Sequence, residues 1–195
     1  MAIPAPSIET APEAALTPGF LEAGQADALF GALVSGIVWD ERMKAWKKAC
    51  FGQTYNDSGV DYAVVPMHPL LLPLCSAVEA HQGFQPTNCL INYYENGRCS
   101  MGFHSDAVHN LAAGTGVAII SLGSERSLTF RSKADPSLLV DYAMPHGSLF
   151  YMTRRTQEYW AHSVRKTDSD GARISLTFRR ILSPDQLTHR AGAVL

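Results

Sequence analysis

Apolar positions along the chain follow two different periods. Behind Thr17-Pro18, Leu21, Ala28, Leu29, Ala32 and Leu33 recur at helical spacing as far as Gly36, with Gly24 on the same face, which predicts an amphipathic helix of about four turns. Residues 68–82 repeat that period through Leu70, Leu71, Leu74, Val78 and Ala80, with Pro69 and Pro73 tolerable only near the first turns. Between them, residues 49–55 and 60–65 read as short extended pieces around Asn56-Asp57-Ser58-Gly59, a hairpin turn. After Gly83 the helical period is gone. Residues 90–94, 117–122, 127–131, 138–142, 148–152 and 173–181 are rich in β-branched and aromatic side chains and are separated by Gly, Asn, Asp or Pro clusters. Two shorter strands are expected near 101–105 and 160–164. Helices followed by a run of short strands predict an α+β, mainly β domain: a two-sheet jelly roll with two N-terminal helices packed on one sheet.

Composition sets the outer limits. The 195 residues fit one domain that buries about 70% of the surface its unfolded chain exposes. Residues 1–17, rich in Ala, Pro, Ser and Thr, read as a flexible arm, 18–183 as the domain and 184–195 as a tail. A formal net charge of −2 gives no general pull toward a polyanion, so a nucleic-acid ligand would need a local basic patch. Local clusters exist: Arg42, Lys44, Lys47 and Lys48; Arg126, Arg131 and Lys133; and Arg154-Arg155 in an expected loop. Cys50, Cys75, Cys89 and Cys99 are widely spaced without a CxxC pair, which argues against a zinc knuckle or a redox dithiol. The N-terminus lacks the basic flank and apolar core of a secretory signal, and no apolar run is long enough to span a bilayer. The expectation is a cytoplasmic enzyme without a membrane partner.

The chemistry is carried by a few polar residues on the predicted strands. His104-Ser105-Asp106 places an imidazole and a carboxylate two apart, which an extended chain presents on one face. One more imidazole from a distant strand would complete a facial triad with open positions, the ligand set of non-haem Fe(II) oxygenases. The spacing alone is common by chance. His162 is the candidate third ligand, and His109, close to Asp106, is a local competitor that spacing does not exclude. In residues 173–179 alternation is strict: Arg173, Ser175, Thr177 and Arg179 share one face, and Ile174, Leu176 and Phe178 the other. Either this is an edge strand with a wet cationic face, or two fork-shaped cations line a pocket for a carboxylate ligand.

Taken in order, Asn92-x-Tyr94, His104-x-Asp106, Ser121-Leu122-Gly123, His146-Gly147-Ser148-Leu149, Trp160-x-His162 and Arg173-Ile-Ser-Leu-Thr-Phe-Arg179 resemble the AlkB-type Fe(II)/2-oxoglutarate dioxygenases. The resemblance covers about residues 48–182, and six motifs in register are specific where one is not. It implies a double-stranded β-helix and iron held by His104, Asp106 and His162, which selects His162 over His109. It implies 2-oxoglutarate contacted by Asn92, Tyr94, Arg173 and Arg179, with Arg173 on the distal carboxylate and Arg179 near the metal end steadying Asp106. Ser175 stands where many family members carry Asn. No catalytic residue is assigned outside the metal centre.

The implied reaction couples oxidative decarboxylation of 2-oxoglutarate by O2 to hydroxylation or oxidative N-demethylation. Residues 45–65 resemble the family's lid over the substrate. Tyr62, in Gly59-x-x-Tyr62, matches a lid tyrosine that helps hold a flipped base. Two positions depart from the nucleobase-repair members: Val108 replaces the acidic residue that reads an exocyclic amine, and no tryptophan stands around Gln53 to sandwich the base. Tyr62, Val108 and Gln53 are therefore the candidate substrate-side residues. The prime substrate is left between an alkylated base in single-stranded DNA or RNA and a small metabolite.

Overall fold

The computed structural model describes residues 10–57 and 60–187. Two antiparallel sheets face each other. In chain order the elements are β1 (Ala14–Thr17), α1 (Ala23–Gly36), β2 (Lys47–Gly52), β3 (Tyr55–Asp57), β4 (Val60–Tyr62), a 3-10 turn (Pro69–Leu71) running into α2 (Leu72–Gln82), β5 (Asn88–Tyr94), β6 (Met101–His104), β7 (Val117–Gly123), β8 (Arg126–Ser132), β9 (Leu139–Met144), β10 (Ser148–Met152), α3 (Arg154–Tyr159), β11 (Trp160–Val164) and β12 (Arg173–Arg179). The major sheet has the order β1-β10-β7-β12-β5-β2, and the minor sheet β6-β11-β8-β9. A separate β3–β4 hairpin lies over one end. This is the jelly roll expected from the strand pattern, with both helices on the major sheet.

The major sheet is covered on both faces. Leu29 and Leu33 of α1 and Leu74 and Val78 of α2 pack with Ile91, Ile120 and Leu176 on its outer face. Between the sheets, Val117, Phe130, Phe150 and Trp160 form a second core. Strand β12 is central, paired to β5 on one side and β7 on the other, and all seven of its residues are buried. The alternation of β12 therefore does not mark a wet face. Its polar side looks into the space between the sheets, and the edge-strand reading is excluded.

Four expectations are corrected. Ala14–Thr17, assigned from composition to the arm, forms β1 and extends the open edge of β10. Main-chain pairing needs no apolar signature, so composition did not show it. Because Thr17 is held there opposite Leu149, α1 starts at Ala23 rather than behind Pro18. The stretch 49–55 divides: β2 joins the major sheet beside β5, and the lid hairpin is β3–β4 alone. Arg154 and Arg155, expected in a loop, open α3, capped by Thr153 Oγ1, which accepts from Thr156 N at 3.4 Å. Residues 1–9, Ser58-Gly59 of the expected turn (and with them Gly59 of the lid motif) and tail residues 188–195 lie outside the described residues; residues 184–187 form one helical turn.

Candidate metal and co-substrate site

Register assembles the site from strands far apart in sequence. On the minor sheet, β6 pairs β11 so that His104 lies directly opposite His162. On the major sheet, β12 sets Arg173 opposite Tyr94 and Ser175 opposite Asn92. Asn92, Tyr94, His104, Asp106, His162, Arg173, Ser175, Thr177 and Arg179 all line one cavity between the sheets. His109 is exposed and takes no part in the cluster.

His104, Asp106 and His162 are the one group of three candidate metal-binding side chains among the described residues, with ligand atoms within 4.8 Å of one another. Both imidazole Nε2 atoms lie 3.8 Å from the same oxygen, Asp106 Oδ1. His104 Nδ1 lies 3.0 Å from the Gly102 carbonyl oxygen; donating there leaves Nε2 as a lone pair facing the cluster. Burial, and then the neighbouring His104, push His162 down to about 3, so it is a neutral donor at any physiological pH. Burial alone would raise Asp106, but Arg179 and the two imidazoles outweigh it and hold the carboxylate at about 2. Two imidazole nitrogens and one carboxylate oxygen, converging without filling the space between them, fit a divalent iron with open positions.

The surroundings of Asp106 fix its orientation. Arg179 Nη2 donates to Oδ2 at 2.8 Å, leaving Oδ1 toward the imidazoles. The main-chain N–H of Asp106 donates to Gln157 Oε1 at 2.8 Å, and Gln157 Nε2 lies 3.0 Å from Met152 Sδ. Ser105 Oγ ties the same turn to the Trp160 carbonyl at 2.9 Å. Gln157 was not singled out from the sequence, because an isolated glutamine carries no motif. Only α3 brings it to the metal turn.

At the other end of the cavity, Arg173 is 1% exposed and donates from Nε to Ser121 Oγ at 3.0 Å. Its Nη1 is buried and has no hydrogen-bond partner, nor has Asn92 Oδ1. An unsatisfied buried guanidinium nitrogen lining a cavity fits a guest that brings carboxylate oxygens. The residues present therefore fit both the metal and an anionic co-substrate.

The mouth is apolar. Tyr55, Leu90, Leu111 and Ile181 form a buried cluster with Cys50, Tyr62, Ala107 and Val108 against it. Tyr55, missed in the sequence, is 2% exposed; its hydroxyl accepts from Ala107 N at 3.3 Å and its ring lies 4.2 Å from Arg179 Cζ. Tyr62 donates to Asp40 Oδ2 at 3.0 Å, and the Arg42 guanidinium keeps that carboxyl far below its usual range. Gln53 stands elsewhere. Its carbonyl accepts from Asn88 Nδ2 at 2.9 Å and its N–H donates to Thr87 O at 2.8 Å, and it lines a different pocket. A pattern of Tyr55 and Tyr62 paired across a hairpin was available from the sequence.

A family profile described as the 2OG-Fe(II) oxygenase superfamily matches residues 16–179. The chain is 29% identical to the alpha-ketoglutarate-dependent dioxygenase alkB homolog 3 of Bos taurus, over 89% of this chain and 68% of that protein. It is 35% identical to the DNA oxidative demethylase ALKBH2 of Homo sapiens, over 70% of this chain and 56% of that protein. It thus spans about two thirds of the alkB homolog 3 proteins it matches, from 63% to 68% of their length. The solved structure of OsALKBH1 superposes with a TM-score of 0.60 at 17% identity, covering 87% of this chain and 99% of that one, a likeness of fold.

Proposed function

The chain belongs to the 2OG-Fe(II) oxygenase superfamily, as an AlkB-like member using Fe(II), 2-oxoglutarate and O2, and from that premise we propose that it oxidatively dealkylates an N-alkylated base in single-stranded or flipped nucleic acid. The observation that carries this reading is the pair of tyrosines Tyr55 and Tyr62, directly opposite each other across β3–β4, with Tyr55 seated on Arg179 behind Asp106 and Tyr62 packed in the same apolar cluster. Aromatic walls beside the reacting centre suit a planar ring taken out of its stack. The relatives named for DNA demethylation support the same class.

His104, Asp106 and His162 would hold the iron, and Arg179 keeps Asp106 ionised and turned toward it. Fe(II) bound there supplies dioxygen activation, converting 2-oxoglutarate to succinate and CO2 while one oxygen atom goes to a substrate C–H bond. Arg173, with Asn92 and Tyr94, would receive the distal carboxylate, and Ser175 and Thr177 complete that wall. The aromatic and aliphatic mouth excludes water from the reacting end. Where the hydroxylated carbon is attached to nitrogen, the product breaks down to formaldehyde and the dealkylated base.

Phosphate contact has one structural support. On the outer face of the minor sheet, Phe103 lies under two guanidiniums, Arg131 at 4.1 Å and Arg165 at 5.7 Å. A strand reading along that face would lose affinity steeply with salt. A second reading, a small-metabolite substrate, is favoured by Val108, which packs in the apolar mouth where an acidic group would be needed to read an exocyclic amine.

The test is succinate and formaldehyde release by protein reconstituted with Fe(II) and 2-oxoglutarate, with and without a methylated single-stranded oligonucleotide. Oligonucleotide-stimulated, stoichiometric release of both is expected. Unstimulated background turnover alone would reject the nucleobase reading in favour of a small molecule.

A further inference from the structure

Tyr94 is shared by two guanidiniums. Arg173 Cζ lies 5.6 Å from its ring centroid and Arg126 Cζ 6.0 Å. Arg173 lines the cavity; Arg126, reaching in from the minor sheet, does not. Both are almost fully buried, at 1% and 2% exposed. Among the described residues neither has a carboxylate partner. Arg126 donates only to main-chain carbonyls, of Cys99 at 3.0 Å, Asn96 at 3.4 Å and Arg165, while its Nε has no acceptor. Arg173 donates to a serine hydroxyl. Carbonyl dipoles solvate a guanidinium without cancelling its charge, so this end of the cavity holds two uncompensated cations. The metal end is different, since Arg179 there is matched by Asp106.

We propose that Arg126 is a specificity-determining residue for the co-substrate: its charge, set over Tyr94 beside Arg173, makes the distal end of the cavity favour a dianionic over a monoanionic 2-oxo acid. Arg173 supplies the directional hydrogen bonds, and Arg126 adds field without contact. Burial pushes Arg173 down to about 10; Tyr94 opposes the shift, and Arg126 adds a smaller push in the same direction as burial. A second carboxylate on the guest relieves that strain, whereas a methyl group in its place leaves both charges buried and unpaid. The proposal rests on the oxygenase reading, and it concerns a side chain outside the cavity wall.

The competing explanation is architectural, because Arg126 also ties the carbonyls of Asn96, Cys99 and Arg165 together. Paired ligands separate the two. Binding of 2-oxoglutarate and of 2-oxopentanoate, the same chain with a methyl in place of the distal carboxylate, is measured on anaerobic Fe(II)-loaded protein by tryptophan fluorescence. Trp46 lies 6.4 Å from the Tyr94 ring and serves as reporter. Arg126→Gln is expected to weaken 2-oxoglutarate about ten-fold, the scale of losing one partly screened unit-charge attraction, while leaving 2-oxopentanoate within about two-fold. Arg126→Lys, which keeps the charge and loses the fork, is expected to retain most of the preference. Equal weakening of both acids, no change in either, or a folded lysine variant without the preference would overturn the proposal. Should the glutamine variant fail to fold, the lysine variant decides alone. Wild-type protein that binds neither acid would instead strike at the oxygenase reading itself.

Discussion

Strand β12 has all seven residues buried, whereas in the lid hairpin, among the side chains described, only Tyr55 is buried, and Val60 and Tyr62 are half-buried. The two meet where the Tyr55 ring lies on the Arg179 guanidinium, yet they are held differently. Arg173 and Arg179 are fixed by cross-strand register on two sides and by packing above and below. The hairpin rests on a short ladder, the Thr54 Oγ1 bond to the Tyr62 carbonyl and the Tyr62 hydroxyl on Asp40. The two guanidiniums of the site are therefore built on a strand interior, and the hairpin is the part that can change without unfolding the roll.

The sharpest way to test that division is to remove a metal ligand. His104→Ala is expected to abolish succinate formation, with and without substrate, while shifting the melting temperature little, because His104 is only half-buried. Loss of folding together with activity would show that the site is part of the core rather than carried by it.

Next in size is the ion pair behind the metal. Arg179→Met leaves the Asp106 carboxylate, whose side chain is 6% exposed, without its cation, at an expected cost of about 3–5 kcal/mol in urea unfolding. A double variant with Asp106→Asn should recover part of that loss, since the uncompensated charge is gone. A pH series on metal-free protein gives a third measure of the same interior. His162 has a folded-state value near 3 against the usual 6.5, so the unfolded chain takes a proton that the native one refuses. Stability is then full above about pH 6.5 and falls as pH drops toward 4, by about 1.4 kcal/mol per unit. His162→Asn should flatten that slope.

The same division explains what could be read in advance. Strand positions were legible from β-branched runs between turn clusters and the polar face of β12 from its strict alternation, whereas the His104/Asp106/His162 set was legible only through six motifs that resemble one family in register. Ala14–Thr17 was not, because β1 is held by main-chain bonds to β10 that any composition can make. Gln157 was hidden for a related reason, its role arising where α3 meets the metal turn. Tyr55 was missed because 49–55 read as one extended piece, which hid that Tyr55 opens a separate strand opposite Tyr62.

The smallest effects belong to the mouth, where they discriminate most. Val108 packs with Tyr55, Tyr62 and Leu90, so Val108→Asp places a carboxylate at the apolar edge of the cavity, at an expected cost of about 1–3 kcal/mol if it finds no partner. Turnover of 2-oxoglutarate without substrate should change little, because no metal or co-substrate contact is touched. With methylated oligonucleotides the variant should gain several-fold in kcat/KM for a base bearing an exocyclic amine relative to one without, since the added acceptor pairs only with the amine. A gain confined to amine-bearing bases would show the hairpin and its neighbours setting selectivity over an unaltered metal centre. An equal effect on every substrate would mean that Val108 acts on the centre itself, and the separation between the two regions would fail.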